Sequence, residues 1–223
     1  ELLRHTPLKE MDSREQSALC RNLGHRVLHA IGRATVVTPH GLVASAILNC
    51  AAEKFSADSL MPIIDTYLKH LTTQGVKLSD TLVYDSYHAI QKAILSYVQR
   101  KFIEPLPADK EKQASDTTYQ INIAKRPNLE YYKNNCVGFF IPAAFTALNI
   151  LEADKSQFGA ADLYEGYAFL QDFFKYEFSY DSDLDIESYV QQNLDAFMED
   201  GTLTFQPDPS NTYHLSESGI HRT

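Results

Sequence analysis

From Ser13 to about Arg33, Leu19, Leu23, Leu28 and Ile31 fall near helical spacing and Arg14, Arg21, Arg26 and Arg33 supply a basic face, which predicts an amphipathic helix. Thr38 followed by Pro39 then marks a helix start, and GLVASAILNCAA is apolar almost all round, so this second helix is expected to be short and buried. A third begins within Ser56 to Ser59, repeats Leu60, Ile63, Ile64, Tyr67, Leu68 and Leu71 at three and four, and stops at Gly75. Pro62 is tolerated there because it sits in the first turn. The next helix is expected from about Asp80, with Val83, Tyr87, Ile90, Ile94, Tyr97 and Val98 as its stripe, ending before Pro105. The polar EPLPADKEKQASD separates it from TTYQINIA, where Tyr119, Ile121 and Ile123 alternate with polar residues as in a half-buried strand.

The second half repeats this order. Helices are expected from Pro127 through Leu151, from about Gly159 to Glu177, and from Asp183 to Glu199, where Gly201 stops the last. TLTFQ and TYHLS flank PDPSN and predict a hairpin. The expected fold is therefore mainly α with small β elements: an amphipathic helix and linker over 1–37, then two tandem three-helix winged-helix-like units over 38–125 and 126–223.

With 223 residues, 44% of them hydrophobic, the chain is long enough to bury a core without disulfide staples. Twenty Lys and Arg stand against 29 Asp and Glu, a net charge of −9, which is the wrong sign for general nucleic-acid binding. The helix expected to read a DNA groove, DLDIESYVQQNLDAFME, holds no Lys or Arg, so no nucleic-acid partner is expected. Cys20, Cys50 and Cys136 have no CxxC spacing and apolar neighbours, and are expected to be buried, reduced thiols of a cytosolic protein. No stretch has the length and hydrophobicity of a membrane span, and the N-terminus lacks a signal-peptide core. The chain opens on Glu1 rather than Met and is expected to be a piece of a longer polypeptide.

Motifs for dinucleotides, P-loops, hydrolase elbows and zincins are missing from the sequence, and no cofactor or metal is expected. His25 and His29 are four apart on one helix face, but no third ligand follows at suitable spacing. Asp181, Asp183, Asp185 and Glu187 imitate a calcium loop, yet Ile186 and Gln192 occupy the places of its Gly and Glu; an acidic helix cap is the better reading. CVGFFIPAAFTALNIL is expected to form a buried helix kinked at Pro142, the alternative being a greasy contact with membrane or acyl chains. Of the aromatic run from Tyr164 to Tyr180, Tyr167, Phe173 and Phe174 are assigned to the core and the rest to an interfacial or partner surface.

NLGHRVLHAIGRATVVTPHGLVASAIL (residues 22–48) and LEYYKNN (residues 129–135) resemble the C-terminal region of the bacterial membrane-associated glycerol-3-phosphate acyltransferases, and LYEGYAFLQDFFKYEFS with the terminal hairpin fits the family's ending. Gly32 departs from the Asn expected there. The resemblance implies acyl transfer from an acyl-carrier protein or coenzyme A thioester to the 1-hydroxyl of glycerol 3-phosphate, in phospholipid synthesis. That chemistry uses a histidine as general base, oriented by an aspartate five residues on. None of the eight histidines here has it; His5 comes nearest, with Glu10 in the aspartate's place. The resemblance thus implies a non-catalytic region, inactive alone, that supports the catalytic domain of the same polypeptide at the inner face of the cell membrane. Arg14, Arg21, Arg26 and Arg33 are the candidate surface for anionic lipid or an acidic acyl-carrier protein. The alternative is a stand-alone winged-helix-like interaction or regulatory module.

Overall fold

The computed structural model describes residues 11–50, 54–107, 117–153, 157–181, 183–207 and 211–216. His5, Glu10, His221 and the middle of the polar linker lie outside them. The helices are α1 (Ser13–Ala34), α2 (Pro39–Asn49), α3 (Ala57–Thr73), α4 (Asp80–Tyr84), α5 (Ser86–Gln99), α6 (Arg126–Asn134), α7 (Ile141–Ala153), α8 (Tyr164–Phe173) and α9 (Ile186–Glu199). The strands are β1 (Lys54–Ser56), β2 (Ile103–Pro105), β3 (Thr118–Ile121), β4 (Gln157–Phe158), β5 (Leu203–Gln206) and β6 (Thr212–Leu215). The fold is mainly α with two small antiparallel sheets, ordered β1-β3-β2 and β4-β6-β5.

Contacts gather the described residues of 35–141 into one compact unit and those of 1–34 with 142–223 into another. The division departs from the expected boundaries at two places: α6 packs in the first unit, and α1 belongs with the second. In the first unit α2 forms the centre. Gly41 through Ile47 are all buried, and they pack with Leu60, Ile64, Leu71, Ile90, Ile94, Tyr97 and Leu129. Gly41 permits the approach of α6, since a Cβ there would sit 3.3 Å from Cys136 Sγ and 3.4 Å from the Tyr132 carbonyl oxygen. In the second unit Phe145, Ile150, Phe158, Leu163, Tyr167, Val190, Leu194, Leu203 and Tyr213 are the buried set.

The two units are built alike. Each runs helix, short strand, helix, helix, strand, strand, with the one-turn α4 as an addition in the first, and each sheet places its third strand in the middle. Across α5 and α9 the correspondence is residue by residue at a spacing of 100: Asp85 and Asp185 both accept the N3 amide at the helix start, and Ile90, Ile94 and Ile103 are matched by the equally buried Val190, Leu194 and Leu203. Phe55 faces Tyr119 across the first sheet as Phe158 faces Tyr213 across the second.

Several expectations are corrected. The helix expected from Asp80 is two, because Asp85 leaves helical geometry (φ −155°, ψ 80°) to cap α5; Val83 and Tyr87 consequently face solvent. The helix expected over 127–151 breaks at Asn135–Phe140, so Pro142 sits in the first turn of α7, where it removes no intrahelical hydrogen bond and makes no kink. α7 is not buried all round, since Leu148 and Leu151 are exposed. The strand ends at Ile121; Ile123 opens a short 3-10 turn and is exposed. Tyr167 is in the core as expected, but Phe173 lies on the other side of α8 and is exposed. Only Cys136 of the three thiols is buried; Cys50 is half-buried and Cys20 exposed.

Candidate functional site

The basic helix α1 docks by its polar side. His25 and His29, one turn apart, are half-buried, as are Leu19 and Gly32, while no residue of the helix is fully buried. His29 Nε2 lies 3.6 Å from Asp181 Oδ2, and Arg26 is ion-paired with Asp183. The acidic run therefore divides its work. Asp185 caps α9, accepting the Ser188 amide at 2.8 Å, and the Ser188 side chain first, then this amide, hold its carboxyl below the usual carboxylate range. Asp181 and Asp183 receive the basic helix. Beside this clasp is an open cavity of about 370 Å³ lined by His25, Gln171, Asp172, Lys175, Tyr180 and Asp181, with Lys175 Nζ 2.8 Å from Asp172 Oδ1. Opposite charges thus meet across the clasp, Arg26 with Asp183 and His29 with Asp181. Beneath it Tyr167, Tyr180 and Tyr189 cluster; burial first, then Tyr189, pushes the Tyr180 phenol up to about 12, while Tyr189 Oη accepts the Asp181 amide at 2.6 Å.

Docking by the polar side turns the apolar side outward. Of the four residues on which the helix was read from sequence, Leu23, Leu28 and Ile31 are 57–60% exposed and Leu19 is half-buried; Val27 is 50% exposed. The four arginines singled out from the sequence are all exposed, and Arg26 is ion-paired with Asp183. On α8 and just beyond it, Phe169, Phe173 and Tyr176 form a second outward stripe, 66–76% exposed, with the Phe169 and Phe173 rings stacked at 6.0 Å and Lys175 Nζ 5.6 Å from the Tyr176 ring centre. Phe169 and Tyr176 thus lie where an interfacial surface was expected; Phe173 joins them because residues four apart on a helix share a face. Sequence periodicity identified the apolar residues of α1 but not their direction, and on α8 it misplaced Phe173 alone of this stripe.

Residues 35–48 of the first stretch that carries the family resemblance meet the second stretch, residues 129–135, in the first unit. The His40 ring of α2 lies 5.5 Å from that of Tyr97 and 5.7 Å from that of Tyr132, Tyr97 Oη donates to the His40 carbonyl at 2.6 Å, and Arg100 donates to Tyr132 Oη at 3.0 Å. Burial, then Arg100, holds His40 below its ordinary value. On α6, Glu130 is lowered chiefly by its bond to Lys133. This cluster joins α2, α5 and α6 and is a packing node. Among the described residues no three His, Cys, Asp or Glu side chains are grouped so as to hold a metal ion, and no helix is long and apolar enough to cross a membrane.

No curated protein matches the chain. The family model for the glycerol-3-phosphate acyltransferase C-terminal region matches residues 2–222, nearly its whole length. A mainly helical pair of small units with a polar clasp and outward apolar stripes, carrying that match from end to end, belongs to the family of glycerol-3-phosphate acyltransferase C-terminal regions.

Proposed function

We propose that this chain is a non-catalytic region of a glycerol-3-phosphate 1-O-acyltransferase of phospholipid biosynthesis, and that it supports the catalytic domain and holds it at an anionic membrane surface. Both winged-helix-like units serve as scaffold in this reading. The observation that carries it is the charge of α1: four arginines against one glutamate give the helix a net +3 in a chain of net −9. Anionic lipid attracts such a segment by about 1 kcal/mol per basic residue near the surface. The non-catalytic part rests on sequence, since no histidine is followed five residues later by aspartate. Co-sedimentation of the chain with vesicles of phosphatidylcholine alone or mixed with phosphatidylglycerol tests the membrane role. Binding is expected to require the anionic lipid and to weaken at least about tenfold when Arg14, Arg21 and Arg33 are changed to Glu. Equal binding by the charge-reversed chain overturns the reading, and binding of an acyl-carrier protein in place of vesicles moves the role of the helix from attachment to donor capture.

A further inference from the structure

An amphipathic helix ordinarily gains its stability by burying its apolar side. α1 does the reverse. His25 and His29 turn inward and Arg26 and His29 engage Asp183 and Asp181, contacts on partly exposed groups that contribute under about 1 kcal/mol each. Cys20, Leu23 and Val27, at spacings of three and four, face the opposite way into solvent. The same unit exposes Phe169, Phe173 and Tyr176, and α1 and α8 adjoin at the cavity that His25 lines together with Ala168, Gln171, Asp172 and Lys175. A large apolar side chain facing water gains nothing there, so two such stripes in one unit call for an external apolar phase. A second copy of this chain is disfavoured as that phase, since the same face meeting itself brings the net +3 of α1 against another +3. An anionic bilayer interface fits both observations. It takes Leu and aromatic side chains below the headgroups without shape matching, and it attracts a helix of net +3.

Resting on the membrane reading above, we infer that the Cys20–Leu23–Val27 arc of α1 and the Phe169–Phe173–Tyr176 stripe form one lipid-inserting surface, with Arg21 and Lys175 at headgroup level. Insertion through the apolar arc, rather than contact through an arginine face, makes the attachment. The arginines steer, and the apolar side chains hold.

The chain contains no tryptophan, so a single introduced one reports its own surroundings. Leu23→Trp and Phe173→Trp are each mixed with vesicles of phosphatidylcholine and phosphatidylglycerol, and with vesicles whose acyl chains are brominated; Leu95→Trp, an exposed site on the other unit, is the reference. The expected result is a blue shift and bromine quenching at 23 and 173 and neither at 95, with Leu23→Asp combined with Val27→Asp losing at least about tenfold in vesicle affinity. Bound protein whose reporters at 23 and 173 stay in water overturns the inference and leaves electrostatic attachment standing. A shift at one site alone overturns the shared surface. Failure of the unsubstituted chain to bind vesicles overturns this inference and the membrane reading together.

Discussion

His40 shows how a residue inside the family-like stretches is tied to stability. Its ring is partly buried against Tyr97 and Tyr132, and burial, then the charge of Arg100, favours the neutral form. In the unfolded chain its pKa returns to about 6.5. The folded value is the lower one, so below pH 6.5 the unfolded state binds the extra proton first, and the His40 contribution, full above that pH, is lost as pH falls toward the folded value. Urea midpoints measured from pH 7.5 to pH 5 are expected to fall more steeply for the unsubstituted chain than for His40→Gln. Parallel slopes would remove His40 from the account. The pair of arginine-bearing and histidine-bearing positions on α1 teaches a related lesson. Sequence spacing put His25 and His29 on one face, and the structure agrees, but only the fold supplies Asp181 as the neighbour of His29.

At the scale of elements the most legible feature was the repeated order, and the helix ends show why. After α5 the Lys101 amide bonds to the Val98 carbonyl and the Phe102 amide to that of Tyr97; after α9 Gly201 and Thr202 do the same with Met198 and Phe197. Both motifs need a left-handed residue, and both have one, Lys101 at φ 58° and Gly201 at φ 79°. The left-handed conformation costs a side-chain-bearing residue about 1–2 kcal/mol, and glycine almost none. Lys101→Gly is therefore expected to stabilise the chain by about 0.5–1 kcal/mol and Gly201→Ala to destabilise it by about 1 kcal/mol, both read from denaturant midpoints. Changes of one sign in both would show that the two ends are not equivalent. The stop at Gly201 could be read from sequence because glycine advertises it; the matching stop at Lys101 could not. Breaks were harder for the same reason. Asp85 ends one helix and caps the next within a run whose apolar spacing continues unbroken, and Pro142 reads as a kink unless the break before it is known.

For the whole molecule, periodicity told which residues of each helix are apolar, and tertiary placement told which of them are inside. Two small cores leave more apolar stripes than they can cover, so Leu163 and Tyr167 go in while Phe169 and Phe173 stay out, and α1 is held by charge instead of by packing. A helix held in this way contributes little to the stability of the unit that carries it. Removing residues 1–34 takes away the partly exposed Arg26–Asp183 and His29–Asp181 pairs and, among described core residues, only Met11. A chain beginning at Thr35 is accordingly expected to keep a cooperative thermal melt by circular dichroism, with Tm lowered by no more than about 10 °C, while its affinity for phosphatidylglycerol vesicles drops at least about tenfold. If the shortened chain loses its cooperative melt, α1 is a structural brace. If it melts normally and still binds vesicles with full affinity, the attachment lies elsewhere on the molecule. Retained folding with lost binding separates the two tasks that one amphipathic helix ordinarily combines, its polar side serving the fold and its apolar side the membrane.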